Sequence, residues 1–228
     1  MTPATFLSKQ QLAPTLFRVD FLPEKPIDFI PGQFIELVLP RPDSHDERGN
    51  RRWFSVASAP HEKPLSIITR FHPSDSSSFK NSLFSLDSGS ELLIADAMGD
   101  FVLPKDSSLP TIWVAAGVGI SPFISKARFM KHNNTKRSAH LFWTTSQDEP
   151  LPYGADFAAV LDSVFVSDKK SSLTPEDIMS QVGADLLDRS LYYVAGPEKF
   201  VEGFIDKLAT LGIPRHRLIG DFFHGYEA

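Results

Sequence analysis

The chain has 228 residues, of which 42 % are hydrophobic and 22 % charged, with a net charge of -5; this is a globular composition, long enough for one large domain or two ordinary ones. The acidic balance excludes the basic footprint of a nucleic-acid or anionic-lipid binder. No apolar run approaches the roughly 20 residues of a membrane span, and no basic segment with an apolar core marks a secretory signal, so the expected location is cytoplasmic. Cysteine is absent, which excludes disulfides, zinc–thiolate sites, cysteine-ligated iron–sulfur clusters and thiol catalysis. The seven histidines are scattered and none has metal-ligand spacing beside a carboxylate, so no metal site is expected. Redox chemistry, if present, needs an organic cofactor.

Up to about residue 104 the pattern is that of short strands. Thr15, Phe17, Val19 and Phe21 alternate with outward positions, as in a half-buried strand. Pro31-Gly32 marks a turn before Phe34, Ile35, Leu37 and Leu39. Further strands are predicted over 52–58, 65–71 and 91–95, separated by Pro, Gly, Asp and Ser clusters. Such punctuation predicts an antiparallel, closed or nearly closed barrel of Greek-key type. The one predicted helix lies within 76–86, where Phe79, Leu83 and Leu86 share helical spacing.

The polar, proline-bounded segment 105–110 reads as a domain boundary, giving domains 1–106 and 107–228. Beyond it the period changes. Ile112-Trp113-Val114-Ala115-Ala116 is continuously apolar, as in a parallel strand covered on both faces. Apolar segments recur at 141–143, 164–166, 191–194 and 218–223, with helical stretches between several of them. Thr174-Pro175-Glu176-Asp177 is a capping-type helix start. Over 197–211, Phe200, Val201, Phe204, Ile205 and Leu208 form one stripe; Pro197 suits the first helical position, and Gly212 with Pro214 ends the helix. The alternation predicts a parallel-sheet α/β domain.

Between the apolar strand and the next helix stands Gly117-Val118-Gly119-Ile120-Ser121-Pro122. Glycines there admit close approach of a pyrophosphate, and a helix N-terminus adds positive potential. Taken alone, they fit a tight strand–helix turn equally well. The order of motifs says more. Pro31-Gly32-Gln33-Phe34, then Arg52-Trp53-Phe54-Ser55, then Gly99 to Pro104, then Gly117 to Pro122, then Ala195-Gly196-Pro197, then Asp221 to Tyr226 resembles the ferredoxin–NADP reductase superfamily over nearly the whole chain.

The resemblance implies an N-terminal FAD barrel, a C-terminal NAD(P)-binding domain, and transfer of hydride from NADH or NADPH to bound FAD. Electrons would pass onward to a separate acceptor: a ferredoxin, a flavodoxin, an oxygenase component or a small molecule. It assigns Arg52, Trp53, Phe54 and Ser55 to the flavin, with the Ser55 hydroxyl near its N5. Ser78, Lys80, Asn81 and Ser82 fall at the second phosphate contact, and Arg70 is a further cofactor candidate. Gly117, Gly119, Pro122, Ala195, Gly196 and Pro197 fall to the nucleotide, and Phe223 or Tyr226 to an aromatic lid on the flavin. The sequence departs from the family at Lys80 (usually a hydroxyl residue), Phe54 (usually tyrosine), Ala195 (often cysteine) and Asp221 (often glutamate). These departures keep two alternatives open: a reductase of free flavins, and a flavin-binding sensor without nucleotide oxidation. The stretch 144–149, with two acids and no cation, favours NADH over NADPH unless Lys126, Arg128 or Lys169 folds back toward it.

Overall fold

A computed structural model describes residues 1–40, 46–47, 49–145, 149–167 and 173–223. The chain divides into two compact units, Met1–Val102 and Leu103–Ala228. Leu103 to Asp106, expected with the first domain, belong to the second. The Arg137 guanidinium ties them there, donating to Pro104 O at 2.8 Å and to Asp106 O at 2.9 Å.

The first unit contains β1 (Thr2–Gln11), β2 (Leu16–Pro23), β3 (Phe34–Val38), β4 (Arg51–Ser55), β5 (Leu65–Arg70), α1 (Ser78–Ser85) and β6 (Glu91–Ile94). The strands form one antiparallel sheet ordered β4-β3-β6-β1-β2-β5. Its two edges meet where Val56 bridges Ile67 and the Ala57 amide donates to Ser66 O at 2.8 Å, closing a barrel. Phe6, Val19, Phe21, Ile35, Leu37, Ile67 and Ile94 fill it, and α1 adds Phe79 and Leu83 to the same core. Strand β1 was not visible in the sequence. Only Ala4 and Phe6 point inward from it; backbone pairing to β2 on one side and β6 on the other holds the rest.

The second unit contains β7 (Thr111–Ala116), α2 (Ser121–His132), β8 (Ala139–Thr144), α3 (Gly154–Val160), β9 (Ser163–Ser167), α4 (Pro175–Gln181), α5 (Ala184–Arg189), β10 (Leu191–Ala195), α6 (Glu198–Thr210) and β11 (Leu218–Asp221). Its parallel sheet is ordered β11-β10-β7-β8-β9. Every residue of β7, the central strand, is buried. Thr174 and Asp177 form the reciprocal capping box that opens α4. Pro197 caps α6 from outside, one position earlier than predicted, because its ψ of 142° is not helical. Gly212, at φ +94°, follows the end of that helix; a side chain would strain this left-handed backbone.

Candidate functional site

Two places in the fold suit phosphate-bearing groups. The first is built where β4 faces α1. Alternation along β4 sends Arg52 and Phe54 inward and leaves Trp53 exposed. The Arg52 guanidinium lies 5.3 Å from the centre of the Phe79 ring, and Phe54 lies 6.1 Å from the same ring. Phe79 belongs to the first turn of α1, which Ser77 caps by accepting from the Lys80 amide. Beside it the Ser78 hydroxyl oxygen is buried with no hydrogen-bond partner among the described residues. Arg52 packs on Phe79, and the orphaned Ser78 hydroxyl and the helix N-terminus adjoin that residue, the donor types that a phosphate diester calls for.

Arg52 is itself buried, and its fork is turned to Asp46. Nη2 donates to both carboxylate oxygens, at 2.6 and 2.7 Å, while Nη1 donates to Gly49 O at 3.1 Å and Arg51 O at 2.6 Å. The carboxylate therefore occupies the Nη2 edge of the guanidinium, one of the groups a phosphate would engage. Asp46 was not singled out in the sequence, and nothing in linear spacing marks it: it faces Arg52 only because the β3–β4 connection returns.

The other residues assigned to the flavin lie around this corner to different degrees. Ser55, half-buried, ends β4 in register with Phe34. Trp53 is on the opposite side of the strand from Arg52, 6.2 Å from the Phe34 ring. Arg70 ends β5, where its Nη1 donates to Thr15 Oγ1 at 2.9 Å. Asn81 is bonded back to the start of its helix, Nδ2 donating to Ser76 O at 3.2 Å. Ser82 turns into the barrel core with Phe79 and Leu83, away from the helix N-terminus.

The second place is a crevice at the carboxyl ends of β7 and β10. The chain runs outward from β7 through β8 to β9, then crosses back to β10 and β11, so the connections part between β7 and β10. Open α/β sheets bind ligands at such a switch point. After β7 comes a tight 3₁₀ turn, Gly117–Ile120, and α2 follows with Pro122 in its first turn. Gly117 has φ +54°, and its carbonyl accepts from the indole Nε1 of Trp143 at 3.0 Å. A Cβ at Gly119 would lie 2.3 Å from Ala195 O, so this turn packs directly on the Ala195-Gly196-Pro197 turn. Gly196, at φ +155°, in turn leaves no room for a Cβ beside Ala116. Gly119 thus meets backbone and Gly196 the Ala116 side chain, two close approaches that shape the crevice rim. Pro122 suits the α2 start that the third glycine of a dinucleotide motif usually serves.

At the end of β8 the Thr145 hydroxyl donates to Glu149 Oε2 at 3.0 Å, and both residues are buried; residues 146–148 lie outside the described residues. Of the cations that could fold back, Arg128 stands 3.6 Å from Asp156 and 4.7 Å from the Tyr153 ring centre. Lys126 is buried in α2, and Lys169 lies outside the described residues. At the C-terminus, Phe222 packs on the second unit's core and Phe223 is half-buried. Tyr226 lies outside the described residues. The burial of Lys126 departs from the expectation of a cation that could fold back toward the nucleotide.

Comparison with known proteins agrees with this fold. No family model matches the chain. Flavohemoprotein A of Dictyostelium discoideum is 22 % identical over 213 residues, covering 87 % of this chain and 54 % of that protein. The reductase component of propane 2-monooxygenase from Rhodococcus jostii is also 22 % identical, covering 86 % and 56 %. The chain therefore spans about half the length of these curated relatives. Among solved structures, ferredoxin–NADP+ reductase from Plasmodium falciparum with 2′P-AMP superposes with a TM-score of 0.76 at 16 % identity, covering 97 % of this chain and 95 % of that one. A Malassezia yamatoensis flavohemoglobin with bound FAD and heme gives 0.76 at 16 %, covering 97 % and 60 %. The chain has the ferredoxin–NADP+ reductase-like two-domain fold. Within that fold its relatives are reductases and flavohemoproteins.

Proposed function

We propose that the chain is an NAD(P)H-dependent flavoprotein reductase of the cytoplasm, whose first unit holds FAD and whose second takes the nicotinamide nucleotide. The observation that carries this reading is the pairing, in one chain of this fold, of a cation-and-helix phosphate corner with a glycine-lined crevice at the sheet's switch point. Bound FAD supplies hydride acceptance and delivers electrons singly or in pairs. Arg52 and the Ser78 hydroxyl hold its diphosphate, with Phe54 and Phe79 as the apolar wall behind them. The Ser55 hydroxyl would support the flavin ring. The Gly117 to Pro122 turn and the Ala195 to Pro197 turn bind the nucleotide's diphosphate through backbone donors and the α2 N-terminus. Electrons then go to a separate acceptor, a protein such as a ferredoxin, a flavodoxin or an oxygenase component, or a small molecule. The likeness to an oxygenase reductase component favours the protein acceptor.

NADH is the preferred donor in this reading, because the buried Glu149 carboxylate at the end of β8 would repel a 2′-phosphate. Anaerobic mixing of the FAD-loaded protein with each nucleotide tests both statements. The visible flavin band should bleach, with kcat/KM for NADH higher by about tenfold or more, the effect of some 1.4 kcal/mol. A yellow protein that neither nucleotide bleaches would make it a flavin-binding sensor. A colourless protein that turns over added FMN would make it a reductase of free flavins.

A further inference from the structure

The second unit buries a lysine that the nucleotide reading leaves without a task. Lys126 is completely inaccessible in the middle of α2. Its ammonium lies 5.0 Å from the centre of the Phe123 ring and 5.2 Å from that of Tyr193. Tyr193 lies on β10, and the register of the sheet fixes what stands beyond it. Tyr193 pairs with Ile219 and Ala195 with Asp221. Side chains of one parity share a face, so Tyr193, Ala195, Ile219 and Asp221 all look toward the face that Lys126 approaches. Asp221 is one strand across and two residues on from Tyr193, about 8 Å away between Cα atoms by standard strand dimensions. It ends β11, and its carbonyl accepts from the Gly196 amide at 3.3 Å. The carboxylate therefore stands at the carboxyl edge of the sheet, on the β10 side of the crevice, with a buried amine behind it.

We infer that Lys126 is a positioning residue for the nicotinamide end of the nucleotide, acting through Asp221 and setting how much of that carboxylate's charge reaches the crevice. The inference rests on the reading of the crevice as a nucleotide site. The chemistry that makes it matter is the charge difference between the two forms of the nucleotide. When the ring gives up hydride (a proton's mass with two electrons) it becomes a cation, and a nearby carboxylate favours that form. A protonated Lys126 offsets the carboxylate; a neutral one leaves its field uncovered. Burial pushes the Lys126 ammonium well below the usual lysine range, and the Asp221 charge works against that shift. Tyr193 also faces it, held neutral by burial with its phenol pushed up to about 12. Arg137 acts on Tyr193 from the segment before β8. Phe123, on Lys126's own helix, and Trp113, which stacks on Phe123 at 5.2 Å, carry no charge. Lowering the pH through the lysine's folded pKa should therefore weaken the preference for the oxidised nucleotide.

Calorimetric titration of the full chain freed of flavin, with NAD+ and with NADH across pH, reads this directly, because without flavin no hydride is transferred. Lys126→Met should raise the ratio of NAD+ to NADH affinity about threefold to tenfold where the wild-type lysine is charged, and should flatten its pH dependence. Asp221→Asn should abolish the pH-dependent part of the ratio, and Lys126→Met added to Asp221→Asn should change nothing further. If Lys126→Met does not fold, the wild-type pH dependence and its loss in Asp221→Asn carry the test. An unchanged ratio in Lys126→Met, or a wild-type ratio that ignores pH, overturns the inference while leaving the nucleotide site standing. Failure of the wild type to bind either nucleotide overturns both.

Discussion

The barrel and the α/β unit are suited to phosphate by opposite means. In the barrel the corner is made of side chains: an arginine, a serine hydroxyl and an aromatic floor, brought together by strand alternation and one helix. Burying the arginine requires an internal anion, and Asp46 provides it. In the α/β unit the crevice is made by removing side chains. Gly119 and Gly196 let two turns press together, and the positive potential comes from the α2 N-terminus rather than from a cation. The lesson is that a charge-built site carries its own competitor, whereas a glycine-built site carries none but tolerates no added atom. Substitutions at the two sites should therefore fail in different ways.

The largest effect is expected at Gly119. A Cβ there would sit 2.3 Å from Ala195 O and 2.5 Å from its carbonyl carbon, contacts that no rotamer relieves because both partners are backbone. Gly119→Ala should destabilise the second unit by about 2–3 kcal/mol, the upper range for overpacking. Nucleotide binding should be lost with it. Flavin affinity should stay within about twofold, since nothing in the barrel corner changes. Denaturant unfolding followed by separate flavin and nucleotide titrations measures all three. If the nucleotide still binds normally, the turn-on-turn contact does not shape the site.

Arg52→Ala comes next. Loss of a charge-assisted hydrogen bond to phosphate should weaken FAD binding by roughly ten- to a hundredfold, about 1.5–3 kcal/mol. Nucleotide affinity should be untouched, the mirror image of the Gly119 variant. Titration of the flavin-free protein by fluorescence quenching decides it. Unchanged flavin affinity would remove Arg52 from the site and leave Ser78 and the helix N-terminus as the phosphate contacts.

The same contrast explains what could be read from the sequence. The glycine-built crevice was legible because glycine and proline act locally: Gly117, Gly119, Pro122 and Gly196 stand at strand ends that apolar runs reveal unaided. The parallel strands were legible for a related reason, being buried on both faces and so continuously apolar, as β7 is. The barrel corner was half legible. Arg52, Phe54 and Ser78 stood out, but their grouping around Phe79 depends on where α1 docks, and Asp46 depends on a connection folding back. Strand β1 escaped notice because its polar second half, Ser8-Lys9-Gln10-Gln11, faces outward while its stability comes from neighbours far along the chain. Lys126 reads only as a cation, because its burial depends on α2 packing against Tyr193 of β10, and Asp221 lies in β11, which is remote in sequence.

Asp46→Asn is the smallest and sharpest test of the comparison, because it concerns the competitor alone. Asp46 grips Arg52 through both oxygens, and the two side chains differ in exposure, 3 % for the arginine against 31 % for the aspartate. Removing the carboxylate charge strands a buried guanidinium, so the flavin-free state should lose about 1 kcal/mol or more. A bound diphosphate would restore the missing anion, so the flavin-loaded state should lose less. The difference between those two losses appears as tighter flavin binding, expected at about threefold to tenfold. Thermal unfolding with and without saturating FAD, together with the flavin Kd, gives both quantities from one sample. If Asp46 instead aims Arg52 at the phosphate without competing for it, Asp46→Asn should weaken flavin binding and destabilise both states alike. Pairing it with Arg52→Ala separates these cases: competition requires the arginine, so on an Arg52→Ala background the Asp46 substitution should no longer tighten the flavin.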